Sequence, residues 1–268
     1  MNRRHLITLL GCAAAACPLA ACAQKGGGRA AALVARILQL RADSLADDMS
    51  QFFGEIVSQM GWITHLTWSV GTMEQRRFDA LRLLRQVPAI SEITFLDASG
   101  IDQLNVSRLA MDYLGPRYKG SSPEFLKAMA DKIYYGPVHL RRESYPYMTL
   151  SLAGTQREGG VSVAEVNVTR VRDLVVQLKV GEHGTAYVLD AQGRVIAHPD
   201  INPRLFQADL SDLPQVRAAL AADAGPPEVR AGLDIKGRDV LSASASVAGP
   251  GWRVFVELPL AEADATIP

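Results

Sequence analysis

The sequence predicts an α+β protein in which a long N-terminal helix carries two tandem antiparallel β-sheet modules. Three observations lead to this fold class. Apolar residues recur at three- and four-residue steps from Val34 to Met60, which is the periodicity of an amphipathic helix. A strand, turn and strand pattern occurs twice, displaced by roughly 93 residues, and a segment with helical spacing, residues 169–180, separates the two copies.

Residues 1–23 have the pattern of an export signal. Arg3 and Arg4 precede a short apolar stretch, as in a twin-arginine signal, and all three cysteines of the chain lie in this segment. The sequence LAAC, which ends at Cys22, resembles a lipobox, whereas ACA before Gln24 resembles a site of cleavage and release. An uncleaved anchor helix is the third alternative. We therefore predict a periplasmic or otherwise extracytoplasmic protein, with a lipid on Cys22 as one of the open alternatives.

Residues 24–29 are rich in glycine and predict a flexible tether. The long N-terminal helix, residues 30–72, follows the tether, with Arg41, Asp47 and Asp48 on the side opposite to its apolar stripe. A helix that packs on a sheet accounts for every residue of the stripe. These residues are Val34, Ile37, Leu38, Leu45, Met49, Phe52, Phe53, Ile56, Val57 and Met60.

The first module covers residues 73–168. It begins with a helix that Pro88 stops, and the stretch SEITFLDASGIDQLNVSR then predicts a strand, a turn and a second strand. A helical segment, residues 123–133, and a closing pair of strands complete the module.

The second module, residues 181–260, repeats this order after the connector helix at residues 169–180. AYVLDAQGRV matches the earlier ITFLDASGI, and ASASVAG with GWRVFVEL matches the earlier TLSLAG with GGVSVAEVNV. Two matches in the same order and at nearly the same offset indicate an internal duplication. Residues 261–268 form a tail.

Several stretches are similar to double Cache (dCache_1) domains, the extracytoplasmic sensor domains of bacterial sensor histidine kinases, nucleotide cyclases and chemoreceptors. They are GWITHLTWSVGTMEQRRFDALRLLRQVPAI, YYGPVHLRRESYPYMTLSLAG, GVSVAEVNV, and GTAYVLDAQGRVIAHPDI followed by DLSDLPQVRAA. The similarity extends from about residue 30 to about residue 260. It implies two PAS-like modules: a membrane-distal one that holds a small ligand, and a membrane-proximal one that passes the change to a second transmembrane helix.

The chain departs from such sensors at VFVELPLAEADATIP, where a sensor would continue into its second membrane helix. We therefore expect a sensor module without transmembrane or effector modules. It is either a free-standing binding protein or the truncated input domain of a sensor kinase or cyclase.

The segment YYGPVHLRRESYPYMT contains the densest recognition chemistry in the chain. Arginine binds carboxylates through two hydrogen bonds, and tyrosine offers a rigid ring with a hydroxyl, so this composition suits a small polar or anionic organic ligand. In a strand, Arg141 and Glu143 lie on one face; a surface ion pair between them is the structural alternative. The ligand-binding candidates here are Tyr135, Arg141, Glu143, Tyr147 and Thr149.

Glu165 is a further ligand-binding candidate, because it interrupts an apolar strand that contains Val161 and Val163. In amino-acid-binding double Cache domains an aspartate on the corresponding strand receives the ligand's ammonium group, and the resemblance gives Glu165 this role. Those domains also share a signature of Tyr, four residues, Arg, one residue and Trp-Tyr. This signature is absent here, because Arg141 is followed by Arg142, Glu143 and Ser144, with no tryptophan. We therefore predict no amino-acid ligand in particular, and a structural salt bridge of Glu165 stays open.

The balance of 28 basic and 28 acidic residues argues against a nucleic-acid partner. The sequence contains no catalytic or phosphate-binding motif, and we expect neither catalysis, a metal nor a cofactor. The sequence thus predicts a sensory module that binds a small molecule and acts through a partner protein, such as a membrane receptor or kinase, with a homodimer through the N-terminal helix. The alternative function is that of an interaction or scaffold protein with a vestigial pocket.

Overall fold

The computed structural model describes residues 28–66, 72–109, 117–141, 145–155, 159–202, 205–221 and 229–265. The predicted α+β fold is confirmed, since one long helix lies against two antiparallel sheets. The predicted export signal with Cys22, and Glu143 of the predicted site, lie outside the described residues.

The first helix, α1, is formed by Gly28–Leu66. Its 39 residues correspond to a length of about 58 Å, because an α-helix rises 1.5 Å per residue. The predicted stripe is buried or half-buried along this length except at Ile37, which is 47% exposed. Arg41, Asp47 and Asp48 are exposed, as predicted. No helix in the described part of the chain is both long and apolar enough to cross a membrane.

The N-terminal module forms a five-stranded antiparallel sheet with the strand order β2-β1-β5-β4-β3. Helix α2 lies before the sheet in the chain, and helix α3 lies between its second and third strands. The elements are α2 (Met73–Gln86), β1 (Ile90–Leu96), β2 (Asp102–Ser107), α3 (Pro123–Asp131), β3 (Ile133–Arg141), β4 (Tyr145–Ala153) and β5 (Val161–Asn167).

The C-terminal module has the equivalent strand order, β7-β6-β10-β9-β8, as expected for a duplicated unit. A connector helix, α4 (Thr169–Gln177), leads into it, and a short helix, α6 (Leu260–Ala265), occupies most of the segment predicted as a tail. The remaining elements are β6 (Thr185–Leu189), β7 (Val195–Ala197), α5 (Pro214–Ala221), β8 (Arg230–Leu233), β9 (Asp239–Ser246) and β10 (Arg253–Pro259).

The repeated Leu-Asp-Ala sequence forms the same turn in both modules. The carboxylate of Asp97 accepts hydrogen bonds from the backbone of Ser99 at 2.8 Å and of Ile101 at 3.0 Å. The carboxylate of Asp190 accepts two equivalent bonds, both of 2.9 Å, two and four residues later. A glycine with a positive φ ends each turn, which explains why the duplication preserves aspartate and glycine there.

The two faces of each sheet have different environments. The face toward α1 contributes to one continuous hydrophobic core that contains α1 residues and strand residues of both modules. We call the opposite side of each sheet its outer face. Helix α3 covers part of the outer face of the first sheet through Phe125, and helix α5 covers that of the second sheet through Val216.

Candidate functional site

Four of the predicted ligand-binding residues lie at one end of the outer face of the first sheet. Thr149 pairs with Glu165 across β4 and β5, Tyr147 occupies the next outward position on β4, and Arg141 ends β3. Residues that pair directly across antiparallel strands project to the same face, so the register brings the four side chains together. This cluster lies beyond the part of the face that α3 covers.

Glu165 is the central carboxylate of the cluster. Its Oε1 accepts a 2.7 Å hydrogen bond from the Thr149 hydroxyl. Its Oε2 lies 3.5 Å from His139 Nε2, which is longer than a good hydrogen bond. The Glu165 side chain is 26% exposed and that of His139 is 50% exposed, so solvent reaches both side chains.

A second carboxylate, Glu92, lies directly opposite Glu165 on β1. The side-chain amide of Asn105 donates 2.7 Å hydrogen bonds to both Glu92 Oε1 and Thr94 Oγ1. Like charges at directly opposed positions repel each other, and a bound cation or strong hydrogen-bond donor relieves this repulsion. The sequence analysis missed Glu92, although its alternation with Thr94 in SEITFLD marks an outward polar position.

Arg141 packs over the ring of Tyr147, with 5.7 Å between the guanidinium carbon and the ring centroid. This cation–π contact holds Arg141 on the outer face at the edge of the cluster. The exposed Tyr145 pairs with Arg141 at the end of the β3–β4 ladder. The arrangement places a cation at the edge of the outer face that also contains the two carboxylates.

Tyr135 lies on the opposite face of the sheet from these residues. Its ring packs edge-on against Phe53 of α1, with 6.0 Å between the ring centroids. Its hydroxyl is close to the turn at Gly249, which connects β9 and β10 of the other module. Burial raises the pKa of Tyr135, in agreement with an interior position between the two modules.

Ser151 is a fully buried polar residue on the outer face next to the cluster. Its Oγ makes no hydrogen bond with any residue that the structure describes. Ser151 pairs with Val163 on one side and Tyr134 on the other, close to the residues that α3 covers. An unpaired buried hydroxyl is unusual in a folded protein and is characteristic of a place where water or a ligand supplies the missing bond.

The second module contains an equivalent carboxylate, Glu257, that is closed off by the protein itself. Its Oε1 accepts hydrogen bonds from the Tyr187 hydroxyl at 2.6 Å, from Gln215 Nε2 at 3.0 Å and from Ser242 Oγ at 3.3 Å. Glu257 is only 3% exposed, and burial raises its pKa although these three donors act in the opposite direction.

The equivalence follows from the repeated Leu-Asp-Ala turn and the strand register. When the two turns are superimposed, Tyr187 takes the position of Thr94. Phe255, which pairs with Tyr187, then takes the position of Val163, which pairs with Thr94. Tyr187 and Phe255 stack with 5.2 Å between their centroids, whereas the first module has the smaller Thr94 and Val163 at these positions.

The corner at His198 lies next to this aromatic pair. His198 occupies the position of Asn105 and is buried, with its ring 6.2 Å from that of Tyr187. Its Nδ1 accepts a 3.0 Å hydrogen bond from the backbone of Asp200, and burial lowers its pKa. A neutral, hydrogen-bonded histidine of this kind stabilises the corner. Among the described residues, no group of three histidine, cysteine or acidic side chains is placed to hold a metal ion.

Residues 28–267 match the sequence profile of the Cache domain family, dCache_1. A search of curated protein sequences finds no match to the chain. The extracellular domain of mmHK1S-Z3, assigned as a histidine kinase, superimposes with a TM-score of 0.68 at 14% identity, over 88% of this chain and 97% of that one.

Two structures of domains with bound ligands are also similar. The ligand-binding domain of the Pseudomonas aeruginosa amino acid chemoreceptor PctC, in complex with GABA, has a TM-score of 0.60 at 15% identity, over 85% of this chain and 99% of that one. The ligand-binding domain of Mlp24, with asparagine, has a TM-score of 0.61 at 14% identity, over 91% and 99%. At these identities the similarity shows a shared fold and nothing more.

Proposed function

We propose that this chain, which belongs to the Cache domain family, is a sensory module that binds a small polar ligand on the outer face of its first sheet. Cache domains are ligand-binding sensor domains rather than catalysts. We assign the ligand site to Glu92, Arg141, Tyr147, Thr149 and Glu165. Glu143 stays a prediction, and Tyr135 is left out because it lies on the face toward α1.

The contrast between Glu165 and Glu257 carries this proposal. Both carboxylates accept a hydrogen bond from a hydroxyl on the neighbouring strand, Thr149 in the first case and Ser242 in the second. Glu257 receives two further donors from Tyr187 and Gln215. Among the described residues, Glu165 Oε1 accepts a hydrogen bond from Thr149 alone, and Glu165 Oε2 lies 3.5 Å from His139 Nε2. The Glu165 side chain is 26% exposed, so we infer that a ligand supplies at the first module the donors that the protein's own side chains supply at the second.

The charges of the site favour a ligand with a cationic or strongly donating group. The opposed carboxylates Glu92 and Glu165 would hold an ammonium or amide group through charge-assisted hydrogen bonds. Arg141, at the edge of the cluster, would bind an anionic group of the same molecule. A small polar molecule that carries both groups therefore fits the site best.

We further propose that the protein works outside the cytoplasm and acts through a partner protein, such as a membrane receptor or kinase. The supporting observations are the export-signal pattern of residues 1–23 and the fold of the extracellular domains described above. A lipid on Cys22 would anchor the protein. Under this proposal the Cys22→Ala variant moves from the membrane to the soluble fraction, and an unchanged distribution would contradict lipid attachment.

A thermal-shift screen tests ligand binding. The full chain is mixed with amines, amino acids, organic acids and purines, and a compound at 100 times its Kd adds about 2.7 kcal/mol of stability. This corresponds to a rise in Tm of about 5–11 °C for a protein of this size. Glu165→Gln should abolish the shift, whereas the control Glu55→Gln, on the exposed side of α1, should retain it.

The opposite result would favour the alternative function. If no compound changed the melting temperature while the chain co-purified with a membrane receptor, the scaffold function would replace the binding function. A shift that persists in Glu165→Gln would place the ligand elsewhere in the protein.

A further inference from the structure

A cavity of about 270 Å³ lies between the two modules, away from the outer-face cluster. Its walls come from the ends of β3 and β4, the first turn of α4, and β7 with the loop that follows it. Most of these residues are apolar. The wall includes Leu140, Pro146, Val171, Arg172, Ile196 and Phe206.

Hydrogen bonds between the segments hold the cavity walls in place. The backbone amide of Val168, just before α4, donates to the Pro146 carbonyl at 2.9 Å. The side chain of Gln207 donates to the Val138 carbonyl at 2.6 Å and thereby links the C-terminal module to β3. The space is therefore a defined feature of the module junction rather than a gap between independently placed surfaces.

One positively charged side chain lies in the cavity wall. Arg172 is the ionised side chain in the wall, and no hydrogen bond or ion pair of Arg172 is present in the described ranges. It belongs to the first turn of α4, which also contains Arg170 and lacks an acidic residue. Asp173 follows directly but makes no ion pair with Arg172 in the described ranges, and the positive N-terminal end of the helix adds to the attraction for an anion.

We propose that this cavity is a second ligand site, which binds a small monocarboxylate with an apolar tail. The carboxylate pairs with Arg172 at the positive end of α4, and the tail lies among Leu140, Ile196 and Phe206. At the ~30 Å³ that liquid water gives to one molecule, the volume holds about nine non-hydrogen atoms. A six-carbon acid such as hexanoate has about this size.

The site lies on the other side of the same strand ends that form the outer-face cluster. Leu140 and Pro146 pair with each other and alternate with Arg141 and Tyr147, so the two pairs project to opposite faces. A carboxylate in the cavity would contact both modules and the connector helix at once. Its binding therefore favours one arrangement of the two modules over others.

Calorimetric titration of the full chain with sodium hexanoate tests the proposal. We expect saturable binding at one site, weakened at least about tenfold in Arg172→Gln. The matched control is Arg170→Gln, which removes an exposed arginine from the same helical turn but not from the cavity wall, and its affinity should equal that of the unmodified chain. Hexylamine, with the same tail and the opposite charge, should not bind.

The proposal would be overturned by the absence of saturable hexanoate binding, by equal affinity in Arg172→Gln, or by equal binding of hexylamine. Glu165→Gln separates this site from the one on the outer face. Hexanoate should bind that variant as it binds the unmodified chain, whatever the thermal-shift screen finds. Loss of hexanoate binding in Glu165→Gln would also contradict a separate cavity site.

Discussion

Removal of the carboxylate should lower the free energy of unfolding at Glu257 but not at the equivalent position, Glu165. In Glu257→Ala, Tyr187 and Ser242 lose the acceptor for their hydroxyl groups, and both are buried. In Glu165→Ala, the partners Thr149 and His139 are partly exposed, and water replaces the lost acceptor. The first substitution should therefore unfold the protein more easily, and the second should not.

The expected difference follows from the number of donors left unpaired. An unsatisfied buried donor costs about 1–3 kcal/mol, so Tyr187 and Ser242 together cost about 2–6 kcal/mol. Gln215 keeps the Leu233 carbonyl as an acceptor at 2.6 Å and adds little. The variant also no longer buries a carboxylate, and the desolvation penalty that it avoids offsets part of this destabilisation. We therefore expect the free energy of unfolding to fall by about 3 kcal/mol. Glu165→Ala should stay within about 0.5 kcal/mol of the unmodified chain.

Urea unfolding followed by circular dichroism measures both free energies of unfolding, and calorimetry gives the melting temperatures. A loss of about 3 kcal/mol lowers Tm by about 6–12 °C in a chain of this size. Glu257→Gln is the control, because the amide oxygen preserves an acceptor for the same donors. If Glu257→Ala and Glu165→Ala lowered the stability equally, the distinction between a closed and an open site would be wrong.

Two further predictions concern pH and backbone conformation. Burial raises the folded-state pKa of Glu257 above the ordinary glutamate value of 4.5. The contribution of Glu257 to folding stability is therefore complete below about pH 4.5 and is lost as pH rises through the folded pKa. The Tm of Glu257→Gln relative to the unmodified chain should increase over this range, and a constant difference would contradict the shift. Gly100 and Gly237 both have φ of 78°, but only at Gly100 would an added Cβ meet backbone, at 2.2 Å from Gly120 Cα. Gly100→Ala should therefore lose about 1 kcal/mol or more beyond Gly237→Ala in urea unfolding, and equal losses would refute the predicted clash.

The fold was predictable because its determinants are local and repeated. The stripe along α1 and the duplicated Leu-Asp-Ala turn are periodic features that a single sequence contains in full. Ile37 was placed on the buried side because helical spacing alone does not give the width of the covered face. The short helix α6 was missed because LAEADA has no recognisable start or stop signal.

The candidate site was predictable only in part, because strand register is not written in the sequence. Counting by twos places Tyr135 on the same face as Arg141. The pairing of β3 with β4 shifts between Tyr135 and Val138, because β3 has one extra residue at Gly136 and Pro137. This one-residue shift moves the side chains of the preceding β3 residues, including Tyr135, to the other face of the sheet. Glu92 was missed for a related reason, since only the pairing of β1 with β5 sets it opposite Glu165.

The uninterrupted core along α1 has a consequence for how the two modules unfold. Phe53 of α1 packs edge-on against both Tyr135 of the first module and Trp252 of the second, so the two modules share the main core, although each also has a smaller apolar cluster on its outer face. Heating should then melt the modules together in one cooperative step. A ligand bound to either module would therefore raise the unfolding temperature of both. Because α1 packs against both sheets, ordering of one module would also stabilise the other.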